Sequence, residues 1–238
     1  MAVDGAPAMM GARLGFRGFV QKENLSIQVD HCTINRYSLG CKTLPASLEA
    51  VLDDVVRFIN FIKTKDLNSH VFKELCKEMR ESYKVLLYLT EILQRGRVVS
   101  RVVELHKAIQ CFLVEKISGL AAHFSDTAWL FRLCYLADVS GKLNKGNFAL
   151  RGKNTTILDA HEPISAFIKK LRLWSRRISK GIVAQFSTLD QFVDDNEEGQ
   201  QLLDEAKQEI QQHMEGIFLN GYFPDRGTAS LQWCVQPF

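Results

Sequence analysis

The stretch SDTAWLFRLCYLADVSGKLNKGNFALRG, residues 125–152, decides the fold class. Within residues 129–139 the only charged side chains are Arg132 and Asp138, and the apolar residues surround the helix instead of forming one stripe. A helix that is apolar on nearly all faces is normally buried, with other helices packed around it. The sequence therefore predicts a central helix of an α-helical body.

The ends of this helix are also marked in the sequence. Ser125 is a good N-cap residue, and Asp126 in the first turn suits the positive end of the helix dipole. Three glycines punctuate the chain after the apolar stretch as turn signals: Gly141, Gly146 and Gly152.

The composition is that of an ordinary soluble globular protein. The chain has 238 residues, of which 46% are hydrophobic and 24% charged, and no apolar run approaches the roughly 20 residues that a membrane span needs. The N-terminus lacks the features of a signal peptide, and the 6 cysteines are scattered without a CxxC pair. We therefore expect an intracellular, reduced protein without a membrane partner, a metal site or a cofactor. Cys76, Cys111 and Cys134 are predicted to be core thiols.

Two regions differ in pattern. Residues 1–45 mix short helical pieces, at 11–22 and 37–44, with a predicted strand at 26–32. Residues 46–238 are predicted to be all-helical, with a C-terminal tail. Three helices are predicted before the central one: 47–65 with Ser47 as its cap, a second from Asn68 or Ser69 to Leu87, and a third at 98–116 after an interruption at Gly96. Two are predicted after it: 156–180 with a break at Pro163, and 199–218, which follows an acidic loop at 190–198.

Several phrases resemble the hAT superfamily of DNA transposases. They include VDGAPAMMG at 3–11, DHCTINRYSLGCKTL at 30–44, VVSRVVELHKAIQCFLVEK at 98–116 and WLFRLCYLADVSGKLNKGNFALRGK at 129–153, in family order. The chain is most similar to the Charlie/Buster-type group, from which general transcription factor II-I repeat domain-containing protein 2-like and BED zinc-finger proteins were domesticated. The resemblance implies the helical insertion domain of such a transposase, preceded by a short α/β remnant of its RNase H-like domain.

The resemblance also implies that the chain is not an enzyme. Asp4 takes the place of the second acid of the family's Asp–Asp–Glu triad, whose carboxylates hold two divalent ions. The other two acids would fall before Met1 and after Phe238, so Asp4 is expected to be a lone remnant. Asn35 stands where the family has the histidine of a Cys-x-x-His motif. Ile92 stands where it has a tryptophan that is thought to stack on transposon-end DNA.

A basic helix face is the best candidate site. At 100° per residue, Lys169, Arg172, Arg176 and Lys180 fall within one narrow stripe, with apolar residues on the opposite side. Cations in such a stripe can contact the phosphates of DNA. The alternative is a solvated face balanced by the acidic residues at 190–198.

Two functions follow from these observations. The first is a catalytically inactive, transposase-derived nuclear protein that binds DNA through the basic face. The second is a helical scaffold for protein partners or self-association, without a nucleic-acid role.

Overall fold

In the computed structural model, the described residues are 2–3, 6–24, 29–31, 43–83, 85–86, 95–116, 119–150 and 157–219. The described chain is mainly helical, which confirms the predicted fold class at that level. The helices are α1 Pro7–Met10, α2 Phe16–Glu23, α3 Ala46–Lys63, α4 Asp66–Glu78, α5 Arg95–Glu104, α6 His106–Glu115, a 3-10 helix Gly119–Ser125, α7 Thr127–Leu150, α8 Ile157–Ser179, α9 Ser187–Asp195 and α10 Gly199–Leu219.

The chain divides into two compact units. The first comprises Met1–Thr43, Gly146–Arg172 and Met214–Phe238, and the second comprises Leu44–Lys145 and Leu173–His213. In the first unit, strands β1 (Ala2–Val3) and β2 (Asp30–His31) pair in parallel. β2 lies inside the predicted strand, whereas residues 37–42 of the helix predicted beside it lie outside the described residues. The predicted domain boundary at residue 45 and the RNase H-like remnant stay predictions.

The second unit is built around the N-terminal part of α7, residues 127–145. Eight of the eleven residues from 129 to 139 are buried, because the apolar side chains project in all directions and neighbouring helices cover them. Phe58 of α3 packs on Trp129 with ring centroids 5.6 Å apart and on Phe124 at 5.2 Å. The indole N–H of Trp129 donates a 3.1 Å hydrogen bond to the buried Asp54 carboxylate. The prediction of a central buried helix is confirmed.

The two charges in the apolar stretch are accounted for by contacts with later elements. Asp138 accepts hydrogen bonds from the backbone N–H groups of Thr188 and Leu189, at 2.8 and 3.0 Å. These are among the N-terminal amides of α9 that have no acceptor inside the helix. Arg132 lies 3.6 Å from the carboxylate of Glu209 in α10. The charged side chains therefore tie α7 to α9 and α10.

The predicted N-caps were wrong. Asp126, not Ser125, caps α7, because its carboxylate accepts from the backbone N–H groups of Ala128 and Trp129 at 2.9 and 3.2 Å. Ser125 instead ends the 3-10 helix. Ser47 lies inside α3, where its hydroxyl hydrogen-bonds to Glu209, and the residue preceding that helix is Pro45.

Glycines predicted to interrupt or end helices lie inside them instead. α7 continues through Gly141 and Gly146 to Leu150, and residue 152 lies outside the described chain. Gly96 lies within α5, where a side chain would clash: a Cβ atom there would be 2.8 Å from the backbone carbonyl carbon of Ser140. Gly96 thus permits a close approach of α5 to α7.

Three predicted helix limits were also wrong. α4 ends at Glu78, before the predicted limit at Leu87, because Arg80 adopts a left-handed φ of 57° and the N–H of Glu81 bonds to the carbonyl of Cys76. The helix predicted over 98–116 is two helices, α5 and α6, separated at Leu105. The acidic loop predicted at 190–198 is largely helix α9, whereas α10 lies where a helix was predicted.

Candidate nucleic-acid interface

The helix that carries the candidate site is α8. It runs unbroken through Pro163, contrary to the predicted break. Gly181 terminates the helix with a φ of 74°. Its N–H donates to the carbonyl of Ile178, and the N–H of Ile182 donates to the carbonyl of Arg177. This is a Schellman termination, which favours glycine because of the left-handed φ. α8 therefore ends one residue before Lys180.

One side of α8 is buried, as its pattern predicts. Phe167, Leu171 and Ile178 are between 0% and 8% exposed, and Ser175 is also buried. The half-buried Trp174 packs against Phe186 with ring centroids 5.8 Å apart. For the described side chains from 165 onward, the opposite side of the helix is therefore the one open to a ligand.

The open side carries the cations. The cations at the C-terminal end of the helix and just after it are all exposed: Lys169, Lys170, Arg172, Arg176, Arg177 and Lys180. Lys169 and Arg172 belong to the first unit, and Arg176 and Lys180 to the second. The four predicted binding residues are thus solvent-accessible, two in each unit.

No described carboxylate neutralises the last three of these cations by direct contact. Arg176, Arg177 and Lys180 form no ion pair within 4.0 Å with any described residue of α9 or the turn that follows it. The described ion pairs of the second unit lie elsewhere, for example between Lys77 and Glu74 at 2.6 Å. Pairing with residues 190–198 therefore does not account for the basic end of the helix.

Other polar groups of the described chain have structural roles. The hydroxyl of Tyr135 hydrogen-bonds to Nδ1 of His213 at 2.8 Å in the core, and burial raises the pKa of this tyrosine. Burial also raises the pKa of the Cys134 thiol to about 12 and that of the Cys76 thiol to about 11. Cys111, by contrast, is exposed, so its predicted core position was wrong. Neither buried thiol is a reactive nucleophile at neutral pH.

One cavity of about 280 Å³ lies in the second unit. Its lining includes Ile62, Phe72, Lys73 and Val85. The ammonium group of Lys63, also in the lining, donates to the carbonyl of Leu86 at 2.8 Å, and burial lowers the pKa of this lysine. No local sequence pattern indicates this cavity, because residues from separate segments form its walls.

Several predicted positions lie where no side chain is described. They are Asp4, Cys32, Asn35, Ile92 and the C-terminal tail from residue 220. Within the described ranges, no group of three or more His, Cys, Asp or Glu side chains is arranged to hold a metal ion. None of the described helices is long and apolar enough to cross a membrane.

The comparison with known families agrees with the helical architecture. Residues 31–179, more than half of the chain, match the model of the FAM200/GTF2IRD2 helical domain. The fold and this match define a transposase-derived helical domain. The chain belongs to the FAM200/GTF2IRD2-like family. The matched segment contains Lys169, Arg172 and Arg176, and it ends one residue before Lys180. No solved structure matches the chain.

Proposed function

We propose that the protein is a catalytically inactive, nuclear DNA-binding module, and that the exposed face of α8 is its contact surface for the DNA backbone. The observation that carries the proposal is the line of exposed cations, Lys169, Arg172, Arg176 and Lys180, without a described carboxylate paired to the last two. A helix face with this charge neutralises phosphates and releases the counterions condensed on DNA.

The charge of the exposed α8 cations suits a polyphosphate. Duplex DNA carries one negative charge per about 1.7 Å of its axis, so closely spaced cations meet closely spaced phosphates. Each exposed side chain of α8 can then contact a separate phosphate. Lysine and arginine contacts to phosphate oxygens position a protein on DNA without reading the base sequence. The proposed binding is therefore strongly salt-dependent and only weakly sequence-dependent.

An anionic membrane is a poorer partner for α8 than DNA. Interfacial helices insert their apolar face between lipids. The apolar residues Phe167, Leu171 and Ile178 are instead buried in the protein, so the described side chains of α8 form no continuous exposed apolar face. A membrane would therefore contact α8 through its charged side chains, without insertion of apolar ones.

The finer ancestry is part of the proposal. We infer a hAT-type transposase as the source, with residues 1–45 as the remnant of its RNase H-like domain. The supporting observation is the set of family phrases in order along the chain, including WLFRLCYLADVSGKLNKGNFALRGK at 129–153. The proposed lack of catalysis rests on two departures from the family's motifs within the chain: Asn35 stands where the family has a histidine, and Ile92 stands where it has a tryptophan. Incubation of a DNA duplex with the protein and Mg²⁺ or Mn²⁺ tests it: we expect no nicking or joining, and cleavage that is abolished in Asp4→Asn would contradict it.

The binding proposal is tested with a matched pair of variants. Arg172→Gln/Arg176→Gln removes two cations from the face, and Lys65→Gln/Lys107→Gln removes two exposed cations from other parts of the described surface. Both doubles change the net charge by the same amount. We expect only the first to weaken binding of a labelled duplex in fluorescence anisotropy. Equal weakening by both would mean that net charge alone attracts the DNA, and it would remove α8 from the functional account.

A second function is favoured by a different observation. Leu173 and Ile182 are 45% and 46% exposed beside the basic residues at the end of α8. Exposed aliphatic side chains at such a place are a feature of protein contacts, whereas phosphate contacts do not need them. A role as a protein-interaction scaffold is therefore the alternative, and the absence of DNA binding together with a stable protein complex would favour it.

A further inference from the structure

The second unit exposes two oppositely charged surfaces. The first, the basic end of α8, consists of Arg176, Arg177 and Lys180 with Leu173 and Ile182 beside them. The second, here called the acidic turn, lies at the C-terminal end of α9 and the connection to α10. Its exposed side chains are Asp194, Asp195, Glu197 and Glu198.

Neither surface is neutralised by the described part of its own chain. The acidic-turn carboxylates form no ion pair within 4.0 Å with a described cation, and the same holds for Arg176, Arg177 and Lys180 with described carboxylates. Other charges of the second unit do pair within the chain: Lys77 and Lys207 each pair with an acid three residues away on the same helix. Both surfaces are therefore available to pair with groups outside the chain.

We propose that these two surfaces bind each other between copies, so that the acidic turn of one molecule docks on the basic end of α8 of a second molecule. Charge complementarity selects this partner, because each copy carries both the site and its counterpart. Surface ion pairs alone stabilise weakly. Leu173 and Ile182 supply apolar area that the second copy covers.

A second copy uses side chains at this end of α8 that DNA does not use. Leu173 and Ile182 have no role in phosphate contacts, whereas a second copy covers them. The proposed interface uses the cations, the aliphatic residues and the acids together. It does not depend on DNA binding, although DNA and a second copy would compete for Arg176 and Lys180.

Charge reversal tests the interface in the full chain. We expect the wild type to self-associate in sedimentation velocity at low salt and to dissociate as salt rises, since salt screens exposed charges. Arg176→Glu/Arg177→Glu should weaken self-association at least tenfold, on the order of the cost of opposing like charges. Asp194→Lys/Asp195→Lys should do the same. Lys65→Glu/Lys107→Glu is the control, and it should leave self-association unchanged.

Mixing the two reversed proteins is the decisive step. Each alone should be monomeric, whereas an equimolar mixture should recover the complex, because the unaltered acidic turn of the α8 variant meets the unaltered basic end of α8 in the turn variant. Leu173→Ala should weaken the wild-type complex, and the equally conservative Leu67→Ala, at a 70% exposed leucine of α4, should not. A wild type that stays monomeric at low salt, or a mixture that stays monomeric although both proteins are folded by circular dichroism, would overturn the proposal. So would wild-type complexes unaffected by both reversals.

Discussion

The capping of α9 by Asp138 makes a quantitative prediction about stability. The Asp138 carboxylate accepts three hydrogen bonds: from the N–H of Thr188 at 2.8 Å, from the hydroxyl of Thr188 at 2.9 Å and from the N–H of Leu189 at 3.0 Å. Thr188 and Leu189 are the second and third residues of α9, whose N–H groups have no acceptor within the helix. Asp138 therefore serves as an N-cap supplied by a different helix, 50 residues away in sequence.

The magnitude follows from these three bonds. Removing an N-cap costs about 0.5–2 kcal/mol, and a hydrogen bond to a charged group contributes about 1.5–3 kcal/mol. The values are not additive, because the three bonds share one carboxylate. We expect Asp138→Ala to lower the free energy of unfolding by about 2–4 kcal/mol. Thr188→Val, which removes only the hydroxyl donor, should cost about 1 kcal/mol.

Two measurements check this reasoning. Urea denaturation gives the change in the free energy of unfolding, with Asp53→Ala at an exposed position of α3 as a control that should stay within about 0.5 kcal/mol of the wild type. Amide exchange gives the local effect, which should be faster exchange at Thr188 and Leu189. A stability of Asp138→Ala equal to that of the control, or unchanged exchange at both amides, would refute the interhelix cap.

Three further predictions concern the core. Leu133→Ala should destabilise by about 2–5 kcal/mol, because Leu133 is 1% exposed, and an unchanged melting temperature would show that α7 is not central. Gly141→Ala should stabilise by about 0.5–1 kcal/mol, since the added Cβ would meet no atom within 4 Å beyond the adjacent backbone of its own helix. Gly96→Ala should destabilise by about 1–3 kcal/mol through its clash with Ser140, so the two thermal melts should shift in opposite directions. Cys134 and Cys76, whose thiol pKa values are raised by burial, should resist alkylation in the folded protein at pH 8 while Cys111 reacts. Because their unfolded-state pKa is near 9 and the folded values are higher, stability should fall as pH rises above about 9, and a constant stability there would contradict the burial.

Side-chain pattern alone was sufficient to predict the helical body. The all-round apolar stretch at 129–139 has no stable arrangement except burial, so a central helix follows directly from the sequence. The stripe on α8 is similarly a local property, because the 3.6-residue period fixes which side chains share a face. For this reason the shared exposed face of Lys169, Arg172, Arg176 and Lys180 was predictable from their spacing.

Helix ends were harder to predict, because tertiary contacts set several of them. Arg80 terminates α4 in a left-handed conformation that usually takes glycine, so no local signal marks it. Gly141 does not end α7, because surrounding packing outweighs the roughly 1 kcal/mol that glycine costs inside a helix. The sequence around Asp138 does not indicate that it caps α9, because Thr188 and Leu189 are close to it only in the folded protein.

The basic face of α8 is tested most directly by the salt dependence of DNA binding. Affinity for one duplex is measured across a series of salt concentrations for the wild type, for Arg172→Gln/Arg176→Gln and for Lys65→Gln/Lys107→Gln. We expect log affinity to fall linearly with log salt, and the α8 double to lower this slope by roughly two units, one for each phosphate that the variant no longer neutralises. The control double should keep the wild-type slope. An α8 double whose slope and affinity equal those of the wild type would contradict the proposal that this helix binds DNA.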